Sequence, residues 1–441
     1  MNTLMSLLIR NAHIINADQS FYSDILTEGE KIKKIGVGLQ PDGKENFEVL
    51  DATGKLIFPG GIDPHVHMHL PTGAGFSSDD FYSGSNAALM GGTTTIIDFV
   101  TPKRGQSLIA AVDEREKEAA GCRCNFSFHV SPVEWRATTA DEIRACFQRG
   151  YNSFKIYMAY KDHIGIDDDV IKNVMEVVAK EGGLVLAHCE TGEEIDRLRN
   201  RFFAEGNTHP SFHPKSRPPH TESEAVRKAI QLAKETGCPL YIVHVSSAES
   251  VELISEARQS GQQVMGEACP HHLLLDESLY DQEFHLSAPY VLSPPLRSSK
   301  HREALWRGLA SGALQTVGTD HCPFTMNQKE LGSNDFRKIA NGAGGVEHRL
   351  TLLYTFGVLR NRISVNEFVR LTSTNSAKIF GLYPRKGIIE VGADADLVIW
   401  DPNKEQTISA SIHQQNCDHN IYEGFKTVGA PQQVFLKGKL C

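Results

Sequence analysis

Eight short runs of apolar and β-branched residues follow one another along the middle of this chain, and most are separated by helix-like stretches. The runs lie near Ile62–His67, Thr94–Phe99, Asn125–Val130, Ser153–Met158, Leu184–His188, Leu240–Val245, Gln263–Ala268 and Gln315–Thr319. Strands that alternate with helices run parallel, and eight such units predict a closed (β/α)8 TIM barrel of the α/β class. A doubly wound open sheet is the structural alternative, but the glycine-rich dinucleotide fingerprint is absent after the first run.

The two ends of the chain show a different pattern. Residues 1–58 and 387–441 alternate apolar and polar residues around turns, as in Leu7–Ile15 and Gly392–Trp400, without a helical period. We interpret them as two parts of one small discontinuous β-sandwich domain, joined because the first strand and the last helix of the barrel end near one another. The barrel domain then spans residues 59–386.

Composition excludes several other classes of protein. The apolar fraction is 40%, which is ordinary for a globular enzyme, and the formal charge of −9 disfavours nucleic acid or an anionic membrane surface as a partner. The opening of the chain lacks the form of a signal peptide, and no apolar run approaches ~20 residues. The nine scattered cysteines suit reduced thiols. We therefore expect a cytoplasmic enzyme.

Metal-ligand side chains stand at the ends of several predicted strands. His65 and His67 share one face of a strand, so they can chelate one ion together. An isolated pair of this kind is more often two exposed histidines, but His188, His244 and Asp320 repeat the pattern on later strands. Because active sites of such barrels lie at the carboxyl ends of the strands, these residues predict a two-metal hydrolytic centre.

These and other motifs resemble the cyclic amidohydrolases of the amidohydrolase superfamily, and among them the hydantoinase/dihydropyrimidinase group. The resemblance covers nearly the whole chain. Its motifs are Phe58–His67, Gly91–Phe99, Ser153–Tyr160, Tyr241–Ser246, Ser293–Arg297, Gly318–Phe324 and Asn341–Glu347.

The resemblance implies a role for Lys155, which otherwise looks like an ordinary strand lysine. In the family, the lysine at this position reacts with carbon dioxide, and the carbamate (N6-carboxylysine) bridges two zinc ions. His65, His67 and Asp320 would then hold one Zn²⁺, while His188 and His244 hold the other. Imidazole and carboxylate donors suit zinc, although Mn²⁺ or Co²⁺ could occupy the same ligands.

The implied reaction is the opening of a cyclic amide. A hydroxide between the ions attacks the ring carbonyl, and Asp320 serves as general base and then as general acid. Tyr160 matches the family's donor to the developing oxyanion, and Ser293 and Asn341 match the residues whose backbone groups pair with the amide edge of the ring. His69 departs from the family pattern, and it is either a contact near the site or an exposed loop residue.

Other activities of this superfamily remain as alternatives. Dihydroorotases carry an arginine after the His-x-His pair, whereas Met68–Pro71 follows here, so that activity is disfavoured. Allantoinase is the second enzymatic candidate, and a non-catalytic dihydropyrimidinase-related scaffold is disfavoured because all six ligand positions are filled. Natural substrate and enantiomer preference stay open. The resemblance also implies a homo-oligomer, either a dimer or a tetramer.

Overall fold

Two eight-stranded β-sheets, a two-stranded β-hairpin and a set of surrounding helices make up the computed structural model, which describes residues 6–40, 47–161 and 163–441. The strands are β1 Ser6–Ile15, β2 Ser20–Glu28, β3 Lys31–Gly36, β4 Phe47–Asp51, β5 Leu56–Pro59, β6 Gly61–Val66, β7 Pro71–Thr72, β8 Gly75–Phe76, β9 Thr93–Val100, β10 Asn125–Val130, β11 Ser153–Tyr157, β12 Leu184–His188, β13 Leu240–Ile242, β14 Val264–Ala268, β15 Thr316–Val317, β16 Leu397–Thr407, β17 Lys426–Leu436 and β18 Lys439–Leu440. Residues 1–5 and 41–46 of the predicted terminal domain lie outside the described residues.

The helices follow the strands of the central part of the chain. They are α1 Phe81–Met90, α2 Leu108–Glu118, α3 Thr139–Gln148, α4 Asp168–Lys180, α5 Gly192–Ala204, α6 Phe212–Lys215, α7 Pro219–Thr236, α8 Ala248–Gln259, α9 Pro270–Leu274, α10 Phe284–Ser287, α11 Ser299–Ser311, α12 Met326–Glu330, α13 Arg349–Leu353, α14 Val365–Val369 and α15 Asn375–Ile379. Within the described part of the chain, no helix combines the length and the apolar character that crossing a membrane requires.

The barrel consists of eight parallel strands in the order β6, β9, β10, β11, β12, β13, β14 and β15. All eight predicted runs form strands of this sheet, and the TIM-barrel prediction is confirmed. The last strand, β15, has only two residues, so the barrel is nearly closed. A bridge between Val66 and His321, with a 2.8 Å bond from the His67 N–H to the His321 carbonyl, spans the remaining seam. Asp320 therefore sits beside the end of the first strand.

The strands from the two ends of the chain form one mixed sheet, which confirms that both ends build a single separate β unit, predicted as a small β-sandwich. Its order is β18, β17, β16, β5, β1, β2 and β3, and β4 pairs with β1 alongside β5. Antiparallel pairing of β5 with β16 joins the amino-terminal part to the carboxyl-terminal part. The sheet of the chain ends is therefore a single unit that is discontinuous in sequence.

Alternating side chains connect this sheet to the barrel. Ile57 points into the sheet's own core, where Ile399 also lies, while Phe58 packs against Phe368 and Trp400 at ring-centroid distances of 5.2 and 5.6 Å. Only Gly60 separates β5 from the first barrel strand, and a Cβ there would come within 2.0 Å of Thr94 Oγ1. The absence of a side chain at this position therefore lets the chain pass directly from the sheet into the strand that carries His65.

Candidate metal centre and substrate edge

The six predicted ligand side chains meet at the carboxyl-terminal mouth of the barrel. Because the strands are parallel, their carboxyl ends lie at one end of the barrel. His65 is in β6 and His67 directly follows it, Lys155 is in β11, His188 ends β12, and His244 and Asp320 lie just beyond β13 and β15. The strand pattern in the sequence predicted this convergence.

His65, His67 and Asp320 form one side of the centre. The Nε2 atoms of His65 and His67 lie 3.1 and 3.2 Å, respectively, from Asp320 Oδ1. Within the part of the chain that the structure describes, His65 Nε2 and His67 Nδ1 are both buried and have no partner in hydrogen-bond geometry. Burial would raise the pKa of Asp320, but the neighbouring His65 and His67 hold it well below its usual value. Asp320 is therefore a carboxylate that can act as a ligand.

His188 and His244 form the other side. His188 Nδ1 lies 2.9 Å from His244 Nε2, and His188 Nε2 lies 2.8 Å from Glu190 Oε2. Burial lowers the pKa of both imidazoles, so both are neutral near pH 7, which is the form that binds metals. One ligand atom each from His65, His244 and Asp320 lie within 4.8 Å of one another, so the two sides adjoin.

Glu267 is a functional residue that the sequence interpretation missed. Its Oε1 lies 2.7 Å from His65 Nδ1 and accepts the His244 N–H at 3.0 Å, while its Oε2 accepts the Tyr241 hydroxyl at 2.8 Å. Burial would lower the pKa of His65, but Glu267 and then Asp320 raise it to about 9. Glu267 therefore orients an imidazole from behind, as partners of metal ligands do. Its place near the end of β14 was the available signal.

Lys155 lies between the two sides with its side chain 1% exposed. Its Nζ is 4.9 Å from the centroid of the Phe99 ring and 5.1 Å from that of Tyr157. Burial lowers the pKa of Lys155 to about 8, against 10.5 for an ordinary lysine. About a tenth of the amine is then neutral at pH 7, far more than for an exposed lysine.

The three predicted substrate contacts, Tyr160, Ser293 and Asn341, lie together at the edge of this centre. This group is called the substrate edge. Tyr160 has a positive φ of 61°, and its ring centroid is 5.2 Å from that of His188. Burial raises the pKa of Tyr160, and the nearby Ser293 partly offsets that rise. The Ser293 hydroxyl also lies 2.8 Å from Asn341 Oδ1. The structure thus brings Tyr160, Ser293 and Asn341 near one another, with a hydrogen bond between Ser293 and Asn341.

His69 does not lie among the ligand atoms. Its ring stacks on Phe76 at a centroid distance of 4.0 Å and an interplanar angle of 7°, while its backbone N–H donates to the Asp79 carbonyl. The histidine therefore fixes the short hairpin of β7 and β8. His129, which the sequence interpretation left structural, is buried between Ser153 and the Pro64 carbonyl.

Comparison with known proteins places the chain in a family. Residues 56–441 match the model described as the amidohydrolase family. The chain is 44% identical over 438 residues to a D-hydantoinase of Geobacillus stearothermophilus, covering 99% of this chain and 92% of that protein. It is 41% identical to a dihydropyrimidinase of Rattus norvegicus, covering 98% and 85%.

Solved structures agree with the sequence comparison. The crystal structure of a dihydropyrimidinase from Brevibacillus agri superposes with a TM-score of 0.97 at 41% identity, covering 99% of this chain and 95% of that one. Since both the fold and the sequence match over essentially the whole length, the chain belongs to the amidohydrolase family and is an enzyme of its hydantoinase/dihydropyrimidinase group.

Proposed function

We propose that this protein hydrolyses the cyclic amide bond of hydantoins or dihydropyrimidines. The observation that carries the proposal is the placement of the Ser293–Asn341 pair and Tyr160 beside a mouth lined by His65, His188 and the other ligand-type side chains. The whole-chain likeness to D-hydantoinases and dihydropyrimidinases supports the same ring substrates.

We propose that the centre holds two Zn²⁺ ions, for which Mn²⁺ or Co²⁺ could substitute. The donors fit, because Asp320 is a carboxylate and because, among the described residues, His65 Nε2 and His67 Nδ1 are buried polar atoms with no partner in hydrogen-bond geometry. His65, His67 and Asp320 would hold one ion, and His188 and His244 the other. Lys155, as N6-carboxylysine, would connect them, and its depressed pKa favours the neutral amine that reacts with carbon dioxide.

When bound, two divalent ions would polarise the ring carbonyl and lower the pKa of a nearby water towards ~7. Asp320 accepts the proton that the water loses during attack and returns it to the departing ring nitrogen. Because the low pKa of Asp320 keeps it ionised at neutral pH, it is ready as the base.

The substrate edge then positions the ring. Tyr160 donates a hydrogen bond from its hydroxyl to the oxygen on which negative charge develops, and its raised pKa keeps the hydroxyl protonated near neutral pH. The Ser293 hydroxyl and Asn341 Oδ1 lie 2.8 Å apart. These two residues offer donors and acceptors that match the alternating N–H and C=O groups of a cyclic imide.

A turnover panel tests this proposal. Metal-replete protein would be assayed with hydantoin, 5-phenylhydantoin, dihydrouracil and allantoin, and Asp320→Asn would serve as the control for contaminating activity. We expect a hydantoin or dihydrouracil to be opened faster than allantoin. Preferred turnover of allantoin would instead support the allantoinase alternative, and no turnover of any ring by protein with bound metal would reject the proposal.

We further propose that the protein acts in the cytoplasm as a homo-oligomer, dimer or tetramer, assembled through the barrel helices. In this proposal residues 59–386 form the catalytic domain, and residues 1–58 and 387–441 form the discontinuous sheet domain. A monomeric mass by light scattering at micromolar concentration would contradict the oligomer.

A further inference from the structure

Lys329 is a fully buried lysine outside the metal centre. It lies on the short helix α12, and its side chain is 0% exposed. Its Nζ donates to three backbone carbonyls, those of Val291 at 3.0 Å, Ala340 at 2.7 Å and Gly342 at 2.8 Å. An ammonium group has three N–H donors, so the three oxygens match its full capacity.

The three carbonyls belong to the two segments that carry the substrate edge. Val291 lies two residues before Ser293, while Ala340 and Gly342 flank Asn341 on either side. Asn341 itself is exposed, whereas both of its neighbours are buried. Lys329 thus holds the backbone on each side of Asn341 and ties it to the segment of Ser293.

We propose that Lys329 is a positioning residue that fixes the Ser293–Asn341 pair at the distance the ring substrate requires. This inference rests on the proposed function, since it assigns Ser293 and Asn341 to the substrate edge. Lys329 acts through these two segments and touches neither the ring nor the metal ligands.

An apolar side chain could not replace the hydrogen bonds that Lys329 Nζ donates to the three carbonyls. Burial lowers the pKa of Lys329 to about 7, and the three carbonyl oxygens around Nζ favour the charged form with its full set of donors. Val291 O also accepts the Gly342 N–H at 3.0 Å, so it keeps a partner without Lys329. The Ala340 and Gly342 oxygens each lose a charged donor, and unpaired buried carbonyls are costly.

The neighbouring residue shows that α12 is a junction between loops. Gln328 Nε2 donates to the Ala74 and Phe76 carbonyls at 3.1 and 2.7 Å, and these belong to the hairpin on which His69 stacks. Two adjacent side chains of one helical turn therefore bind different loops at the carboxyl-terminal mouth of the barrel. Gln328 holds the hairpin, and Lys329 holds the Ser293–Asn341 pair.

The test compares Lys329→Met with the surface variant Lys338→Met, whose lysine side chain is 70% exposed. Using hydantoin and dihydrouracil, we expect Lys329→Met to raise KM about tenfold or more, to change kcat by less than about threefold, and to leave bound metal unchanged. In an Asn341→Ala background the same substitution should raise KM by a smaller factor than it does alone, because the hydrogen bond that joins Ser293 to Asn341 Oδ1 is already lost. Lys338→Met should match the parent protein.

Hydrogen–deuterium exchange of the metal-loaded proteins provides a second measurement that needs no turnover. Lys329→Met should speed amide exchange in peptides covering residues 288–293 and 339–344 and leave the barrel strands unchanged. If that variant does not fold, Lys329→Gln, which keeps a shorter donor, takes its place in both measurements. Equal effects on KM with and without Asn341, or unchanged exchange in both peptides, would overturn the inference. A wild-type protein that opens no ring rejects the proposed function separately, and exchange alone then decides the role of Lys329.

Discussion

The two halves of the candidate site differ in what holds them in place. His65, Lys155 and His188 stand on barrel strands with at most 3% of each residue exposed. The ladder between β11 and β12 fixes Lys155 and His188, and the bond to Glu267 holds His65. Ser293 and Asn341 stand on loops, are more exposed, and depend on side-chain contacts such as those of Lys329. In the proposed function, the barrel strands therefore carry the residues of the chemistry, while the loops carry those that select the ring.

The strand half of the site is the set of ligand-type side chains on the barrel strands. Substitution of Lys155 is its most severe test. We expect Lys155→Ala to lose the two-metal centre and nearly all turnover, because the bridging carbamate cannot form. A short carboxylic acid supplied with metal should restore part of the activity, whereas Lys155→Arg should not respond, since its guanidinium stays charged and fills the space. Metal content by mass spectrometry and turnover are the measurements.

Lys172→Ala is the matched control, because that lysine is exposed and pairs with Glu235 on the outer helices. It should retain metal and activity. Two metals per subunit and normal turnover in Lys155→Ala without added acid would show that other ligands assemble the site.

Tyr160 lies at the boundary between the two halves, and its substitution should lower turnover less than the loss of Lys155. Tyr160→Phe removes the hydroxyl but keeps the ring beside His188, so metal content should not change. We expect kcat to fall by roughly 10²–10³, the usual scale for the loss of one oxyanion donor. Steady-state kinetics on hydantoin give the result, and kinetics equal to the wild type would remove Tyr160 from the mechanism.

The smallest predicted effect concerns the pH dependence of the strand half. Folding lowers the pKa of Lys155 to about 8, and carbamate formation needs the neutral amine, so uptake of carbon dioxide should rise with pH and level off above 8. Between pH 7 and pH 9 the neutral fraction grows from about 9% to about 91%, so the initial rate at fixed dissolved carbon dioxide should rise about tenfold.

The measurement is ¹³C NMR of metal-free protein exposed to labelled carbon dioxide. Exposed lysines provide an internal comparison, because their neutral fraction should rise about a hundredfold over the same interval. A hundredfold rise in the initial rate of carbon dioxide uptake at Lys155 as well would mean that burial does not change the pKa of its amine.

The strand half could be predicted from the sequence, because strand ends in a parallel barrel converge whatever the details of packing. The eight runs become eight strands, and His188 and His244 lie side by side as the pattern required. Glu267 obeys the same rule but was overlooked, since one acidic residue in a strand has no motif around it. The resemblance rather than the spacing indicated Tyr160, Ser293 and Asn341.

Other parts of the structure had no signal in the sequence. Lys329 is a single lysine in a short helix, and its partners are backbone carbonyls on segments that any residue could supply. The helices between Arg349 and Ile379 were not predicted either. They are short α segments interrupted by π turns at Tyr354–Val358 and Arg370–Thr374, so a regular 3.6-residue period is broken.

The pairing of β5 with β16 has a consequence for how the protein is made. Strand β5 runs through Gly60 into the strand that carries His65, but its partner β16 follows the entire barrel in the sequence. During synthesis on the ribosome, β5 therefore waits with one edge open until the barrel has emerged. The sheet that leads into the His65 strand is thus completed late, after the segments with Lys155, His188, His244 and Asp320 are already outside the ribosome.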